Sequence, residues 1–141
     1  METTANRKTS GGLDLPVRLS TLWVFLLFNF LYCDVITVFD PTVPKDLTPA
    51  ALLGASILME IPIAMVLLSR VLGYRANRRA NIVAGTVMAA VQVATVAAAP
   101  PTLYYAFFST VEIATLVFVV WRAWKWAGSE RLTLQPLSRH I

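Results

Sequence analysis

Four apolar stretches constrain this chain more than anything else in it, because each is long enough to cross a hydrocarbon layer as a helix. They fall at residues 19–39, 50–72, 81–99 and 103–126, close to the length of about 20 residues that a transmembrane helix needs. Inside a bilayer every backbone N–H and C=O must find its partner within the protein, so such runs read as helices. The third run is rich in alanine and gives the weakest hydropathy signal, but it carries no charge between residues 82 and 99. A mean hydropathy of +0.64 with only 14% charged residues lies outside the usual soluble range. The expected fold is all-α, a four-transmembrane-helix up-down bundle. Residues 1–16 form a disordered cytoplasmic tail in this reading, residues 17–126 the membrane domain, and residues 127–141 a second cytoplasmic tail.

Orientation follows from the placement of the twelve basic residues. Arg7, Lys8 and Arg18 precede the first run. Arg70, Arg75, Arg78 and Arg79 lie in or beside the second connection, and Arg122, Lys125, Arg131 and Arg139 close or follow the fourth run. Only Lys45 is left for the other face. The positive-inside rule then puts both termini and the middle connection in the cytoplasm, N-in and C-in. The net charge of +4 is thus a topology signal, and anionic lipid headgroups are its expected partners. The arginines are juxtamembrane and unaccompanied by stacking aromatic platforms, which argues against nucleic-acid binding. Trp23 at one end, with Trp121, Trp124 and Trp126 beside Arg122 and Lys125, reads as an aromatic belt at that interface. The first apolar run is too long for a signal peptide, and residues 40–44 offer no small-residue cleavage site.

Punctuation between the runs is clear. Pro16 suits the entry of the first helix, and Thr48-Pro49 reads as an N-cap followed by proline at the first helical position. Residues 40–49 form a proline-rich external turn. Gly73 is expected to cap the C-terminus of the second helix, with residues 74–80 as the connection. Pro100-Pro101-Thr102 is so short a link that helices three and four must be antiparallel neighbours.

Two carboxylates lie deep in these runs. With a rise of about 1.5 Å per residue, Glu60 sits about 15 Å and Glu112 about 13 Å below the outer starts of their helices. Asn29 and Gln92 reach nearly the same level, and Asp34 lies about 8 Å in from the outer side. Acids at such depth usually face a bundle interior or a water-filled cavity. The expectation is therefore a midplane site built from Glu60, Glu112, Asn29 and Gln92, with Asp34 lining an approach path. Tyr105, Ser109, Glu112 and Thr115 share one helix face, as do Gly85, Ala89, Gln92 and Thr95, and both stripes are expected to point inward. Pro62 should free the carbonyl of Leu58 beside Glu60. The pairing of Asn29 with Glu60 and of Gln92 with Glu112 gives a faint two-hairpin repeat.

Three functions fit these acids: binding or transport of a small solute coupled to protons, structural glue in which protonated glutamates bond Asn29 and Gln92 across helices, and a lipid-directed enzyme working by carboxyl proton transfer. The sequence leans away from an enzyme, for it has no nucleotide fingerprint and no Ser-His or Cys-His pair. No metal and no cofactor is expected, because the only histidine, His140, is in the tail and the site has no thiolate or imidazole ligands. Cys33 has no partner for a disulfide and reads as a small core residue. Gly85-x-x-x-Ala89 is a close-packing surface that could also seed a dimer, and association of copies is expected because four helices seldom enclose a full pathway.

The segments Ser20-Thr-Leu-Trp-Val-Phe-Leu-Leu-Phe-Asn29, Met59-Glu-Ile-Pro-Ile-Ala-Met65 and Tyr74-Arg-Ala-Asn-Arg78, with Asp34, Ser69 and Asn81, resemble a family of small bacterial four-helix integral membrane proteins known only as a domain of unknown function. The resemblance covers residues 19–126. It implies the four-helix membrane fold, and it transfers neither an activity nor a catalytic residue; the expected location of the bundle is the bacterial inner membrane.

Overall fold

A computed structural model describes residues 14–133, with side chains through residue 126. Residues 1–13 of the expected tail (1–16), the last residues with His140 and Arg139, and the side chain of Arg131 lie outside the described part, while Leu15 and Pro16 at the end of that tail are already helical. Four helices follow one another: α1 (Leu15–Phe39), α2 (Pro49–Val71), α3 (Tyr74–Ala98) and α4 (Leu103–Thr133). All four are long and apolar enough to cross a membrane.

Packing runs in a ring. Each helix touches its sequence neighbours, and α1 closes the circle on α4. The start of α1 meets the end of α2 through Ser20 and Val66, the start of α3 meets the end of α4 through Arg78 and Ala123, and the end of α1 meets the start of α4 through Thr37 and Tyr104. These contacts make an up-down-up-down bundle. The start of α1, the α2–α3 link and the far part of α4 share one end, together with Arg18, Arg70, Arg75, Arg78, Arg79 and Arg122. Lys45, Asp40 and Asp46 sit at the opposite end.

Helix boundaries follow local chemistry, with two further differences from the expected ones. Thr48 caps α2 by accepting from the Ala51 N–H at 3.2 Å, with Pro49 as the first helical residue. Asp40 folds the external turn, accepting from the Thr42 N–H at 2.9 Å and its hydroxyl at 2.6 Å. Lys45 donates to the Val38 carbonyl at 2.6 Å near the C-terminus of α1. Residues 74–80, however, are helical rather than a connection. Gly73 is extended (φ −62°, ψ 159°) and caps the N-terminus of α3 instead of the C-terminus of α2. Arginine and alanine are good helix formers, and no glycine or proline interrupts them. Likewise α4 continues past residue 126 to Thr133, where a tail was expected.

The core is concentrated toward the basic end. Leu19, Trp23, Leu26 and Phe30 of α1 pack with Met65 of α2, Ala84 and Met88 of α3, and Leu116 and Val119 of α4. Gly85 lets α3 and α4 approach closely, since a Cβ there would lie 2.7 Å from Val120 Cγ2. The Gly85-x-x-x-Ala89 surface is thus used within the chain. Toward the other end packing thins. Residues 49–57 of α2 are all exposed, as are most residues of α3 beyond Gln92. The exposed residues there include Ala50, Ala51, Gly54 and Ala55 of α2 and Ala94, Ala97 and Ala98 of α3, small side chains that make few packing contacts.

Candidate functional site

Polar chemistry inside the bundle falls into two groups at different depths. The first lies within the packed half. Trp23 Nε1 donates to Asn81 Oδ1 at 2.8 Å, and Asn81 Nδ2 donates to Asn77 Oδ1 at 2.6 Å and to the Asn77 carbonyl at 2.9 Å. Asn77 Nδ2 donates to the Ser69 carbonyl at 2.6 Å, and Ser69 Oγ sits 3.3 Å from Asn81 Nδ2. Beside them Ser20 donates to the Val66 carbonyl at 2.8 Å and accepts from Arg70 Nε at 3.0 Å. Ser20, Trp23, Ser69, Asn77 and Asn81 are all fully buried. This network ties α1, α2 and α3 together and fixes how α2 is rotated about its axis. Trp23 is therefore a core residue and not part of an interfacial belt. Trp121 and Trp124 are exposed near that end, with Lys125 Nζ 4.3 Å from the Trp121 ring centre, and Trp126 meets Tyr74 edge-on at 4.9 Å.

The second group lies where the packed half gives way to the open one. On α4, Ser109, Glu112, Leu116 and Val119 share the inward face. Glu112 is only 1% exposed, and its Oε1 is enclosed with no hydrogen-bond partner among the described residues. Gln92 of α3 is also buried, but it donates to Ser109 Oγ at 2.8 Å rather than to Glu112. Tyr105 adjoins Gln92 and Ser109 and is within electrostatic reach of Glu112 and Cys33. From α1, Asp34 is within electrostatic reach of Glu112. Its other side lines a cavity of about 390 Å³ between α1 and α2, walled by Val24, Leu27, Phe28, Leu31, Met59 and Ile63.

The remaining residues expected at the midplane lie elsewhere. Glu60 is exposed, about 140° to 180° around α2 from the packed Pro62, Met65 and Ser69 at 3.6 residues per turn. Asn29 is half-buried and donates to its own helix, to the Phe25 carbonyl at 2.9 Å. It borders a small hollow with Tyr32 and Phe108 on the α1–α4 side. The structure thus brings together Glu112, Gln92 and Asp34, adds Ser109, Tyr105 and Cys33, and separates Glu60 and Asn29 from them. With Glu112 inside and Glu60 outside, the two hairpins are not equivalent and the faint repeat has no structural counterpart. Thr95 is exposed and, like Thr115, bonds back to its own helix.

The buried Ser69–Asn77–Asn81 network is not among the sequence-derived site residues, because it depends on residues 74–80 being helical rather than a connection. The usable signal was Asn77 and Asn81 at i and i+4, two amides on one face of a segment with no helix breaker.

No group of three or more metal-ligating side chains occurs among the described residues. Neither a curated protein nor a solved structure matches the chain. One family model does, over residues 14–133, the whole described region. By that match the chain belongs to the family of unknown function DUF6326.

Proposed function

We propose that the protein is a multi-pass protein of the bacterial inner membrane, with both termini cytoplasmic, that binds a small solute at Glu112 and Asp34 and exchanges protons there. One observation carries this reading: an enclosed carboxylate oxygen of Glu112 with no hydrogen-bond partner among the described residues. Buried polar groups are almost always hydrogen-bonded, and an exception calls for a ligand, a water or a functional role. Interhelical glue would require Glu112 to bond a neighbouring helix, and Gln92 is engaged with Ser109 instead.

The solute's character follows from the adjacent cavity. Its volume of about 390 Å³ lies within the range of about 300–1,000 Å³ typical of small-molecule sites. Its walls are aliphatic and aromatic apart from Asp34. Such a site suits a molecule with an apolar body and a cationic or hydrogen-bond-donating head. The lateral position of the cavity also supports a second reading, an enzyme acting on a lipid-like substrate by proton transfer between the two carboxyls.

The test uses purified protein in lipid nanodiscs and two probes of nearly the same shape, tetraphenylphosphonium and tetraphenylborate. Saturable binding of the cation alone is expected, weakened at least tenfold by Asp34→Asn and by filling the cavity with Ile63→Trp. Glu112→Gln should remove a carboxyl infrared band that shifts when the cation is added. Unsaturable partition of both probes, or binding indifferent to all three variants, would refute the proposal. Turnover of an added lipid with release of a rearranged product would favour the enzyme.

A further inference from the structure

Glu60 has no role in the site above, and its position poses a physical problem. It lies about 16 Å along α2 from Pro49, near the middle of a helix of 23 residues, on the side turned away from the bundle. In a membrane that side meets hydrocarbon, where a carboxyl without a partner is strongly disfavoured. No lysine, arginine or histidine of α2 lies near this depth; the helix's one basic residue, Arg70, is ten positions on, about 15 Å away.

The residues around Glu60 form a pattern. Leu53, Ile57, Glu60, Ala64 and Leu67 follow one another at spacings of four, three, four and three, the repeat of a helix seam that packs against another helix. Leu53, Ile57 and Leu67 are 62%, 63% and 64% exposed and Ala64 is half-buried, so the described residues leave most of this seam uncovered. It is apolar except at one position. A single polar residue in such a seam is a known device for fixing register and copy number.

We propose that this seam joins two copies of the chain, α2 against α2, with Glu60 facing Glu60 across a two-fold axis along the membrane normal. The occupant follows from symmetry. Rotation about that axis leaves every residue at its own depth, so a lone polar group on a lipid-facing helix meets its own copy and no shift of register is needed. Two facing carboxyls hold each other through a shared proton, one oxygen donating and the other accepting. A different partner would have to carry a matching polar group at the same depth by coincidence. The seam lies on the far side of α2 from the buried face, so pairing leaves the Glu112 site undisturbed and does not depend on its function.

The experiment uses the full chain in lipid, in a Cys33→Ala background, with single cysteines at Leu53, Ile57 or Leu67 and at exposed Val83 of α3 as the control. Oxidation should give same-residue disulfide dimers at the seam positions and not at Val83. Self-association measured by energy transfer between labelled copies should weaken at least tenfold in Glu60→Leu, which removes the only polar group of the seam. Glu60→Gln, whose amides can still bond each other, should stay close to the parent and guards against misfolding as the cause. A monomer at all protein-to-lipid ratios, equal cross-linking at Val83, or unchanged association of Glu60→Leu would overturn the proposal.

Discussion

Replacing Asn81 with leucine should destabilise the bundle at its basic end, and the expected size follows from the bonds it makes. The substitution keeps a side chain of similar shape but removes the acceptor of the Trp23 indole N–H and the donor to Asn77 Oδ1. Both stranded groups are fully buried. In soluble proteins each would cost about 1–3 kcal/mol. Within membranes measured side-chain hydrogen bonds average about 0.6 kcal/mol and reach about 1.7. The short, enclosed geometry here places two of them toward the upper end, so the expected loss is about 1–3 kcal/mol. Reversible unfolding in mixed micelles gives the value, and a double-mutant cycle gives its origin. Trp23→Phe deletes the indole N–H, so in the Asn81→Leu background it should cost less than in the parent, by about 1 kcal/mol. Strictly additive effects would refute the claim that this bond couples α1 to α3. A neutral Asn81→Leu would refute the network's structural role altogether.

Gly85→Ala should force Val120 to move, since the new Cβ would lie 2.7 Å from its Cγ2. Overpacking of about 1–3 kcal/mol against a helix-propensity gain of about 1 kcal/mol leaves a net loss of up to about 2 kcal/mol, and adding Val120→Ala should relieve it; no relief would mean that α3 and α4 do not meet there. Thr48→Ala should lower stability by about 1 kcal/mol through loss of the cap of α2, read from the same unfolding curves. Hydrogen bonds from the Thr42 hydroxyl and then its N–H hold the Asp40 carboxyl below the usual carboxylate range. A lowered pKa contributes stability above the unfolded value that is lost as pH falls through the folded one. Thr42→Val should therefore move the Asp40 titration, followed by carbon NMR, upward toward the ordinary value, and an unmoved titration would contradict the bond at 2.6 Å.

Hydropathy and turn chemistry made the architecture legible. Four runs became four helices, Thr48-Pro49 became a capped start, and Pro100-Pro101 separates two helices in close contact. The site was only partly legible, because depth can be counted along a sequence but rotation cannot. Glu112 shares its inward face with Ser109, Leu116 and Val119, so its own helix carries a consistent answer. For α2 the general tendency of membrane acids to face inward pointed the wrong way. Its rotation is set by Ser69 and Val66, which are bonded to Asn77 and Ser20. Once those contacts turn Met65 and Ser69 inward, helical geometry sends Glu60 outward. A bond near residue 69 thus decides the environment of residue 60, and no local pattern around Glu60 could reveal it.

The two glutamates consequently pose the same chemical demand in two different places. Water would satisfy either carboxyl, and in the membrane-spanning arrangement proposed above hydrocarbon or packed protein replaces water at these depths. Glu112 is enclosed by its own bundle at the point where packing loosens, so a partner must come in through the bundle interior, and Asp34, within electrostatic reach of Glu112, lines the cavity between α1 and α2. Glu60 is exposed among the described residues, so in the membrane-spanning arrangement proposed above its partner comes from another helix in the plane of the membrane. Exchanging the two demands tests the distinction: Glu112→Leu should leave self-association intact while abolishing cation binding, and Glu60→Leu should do the reverse. If either variant abolished both, the inner site and the outer seam would be one functional unit, and the separation drawn from the rotation of α2 would fail.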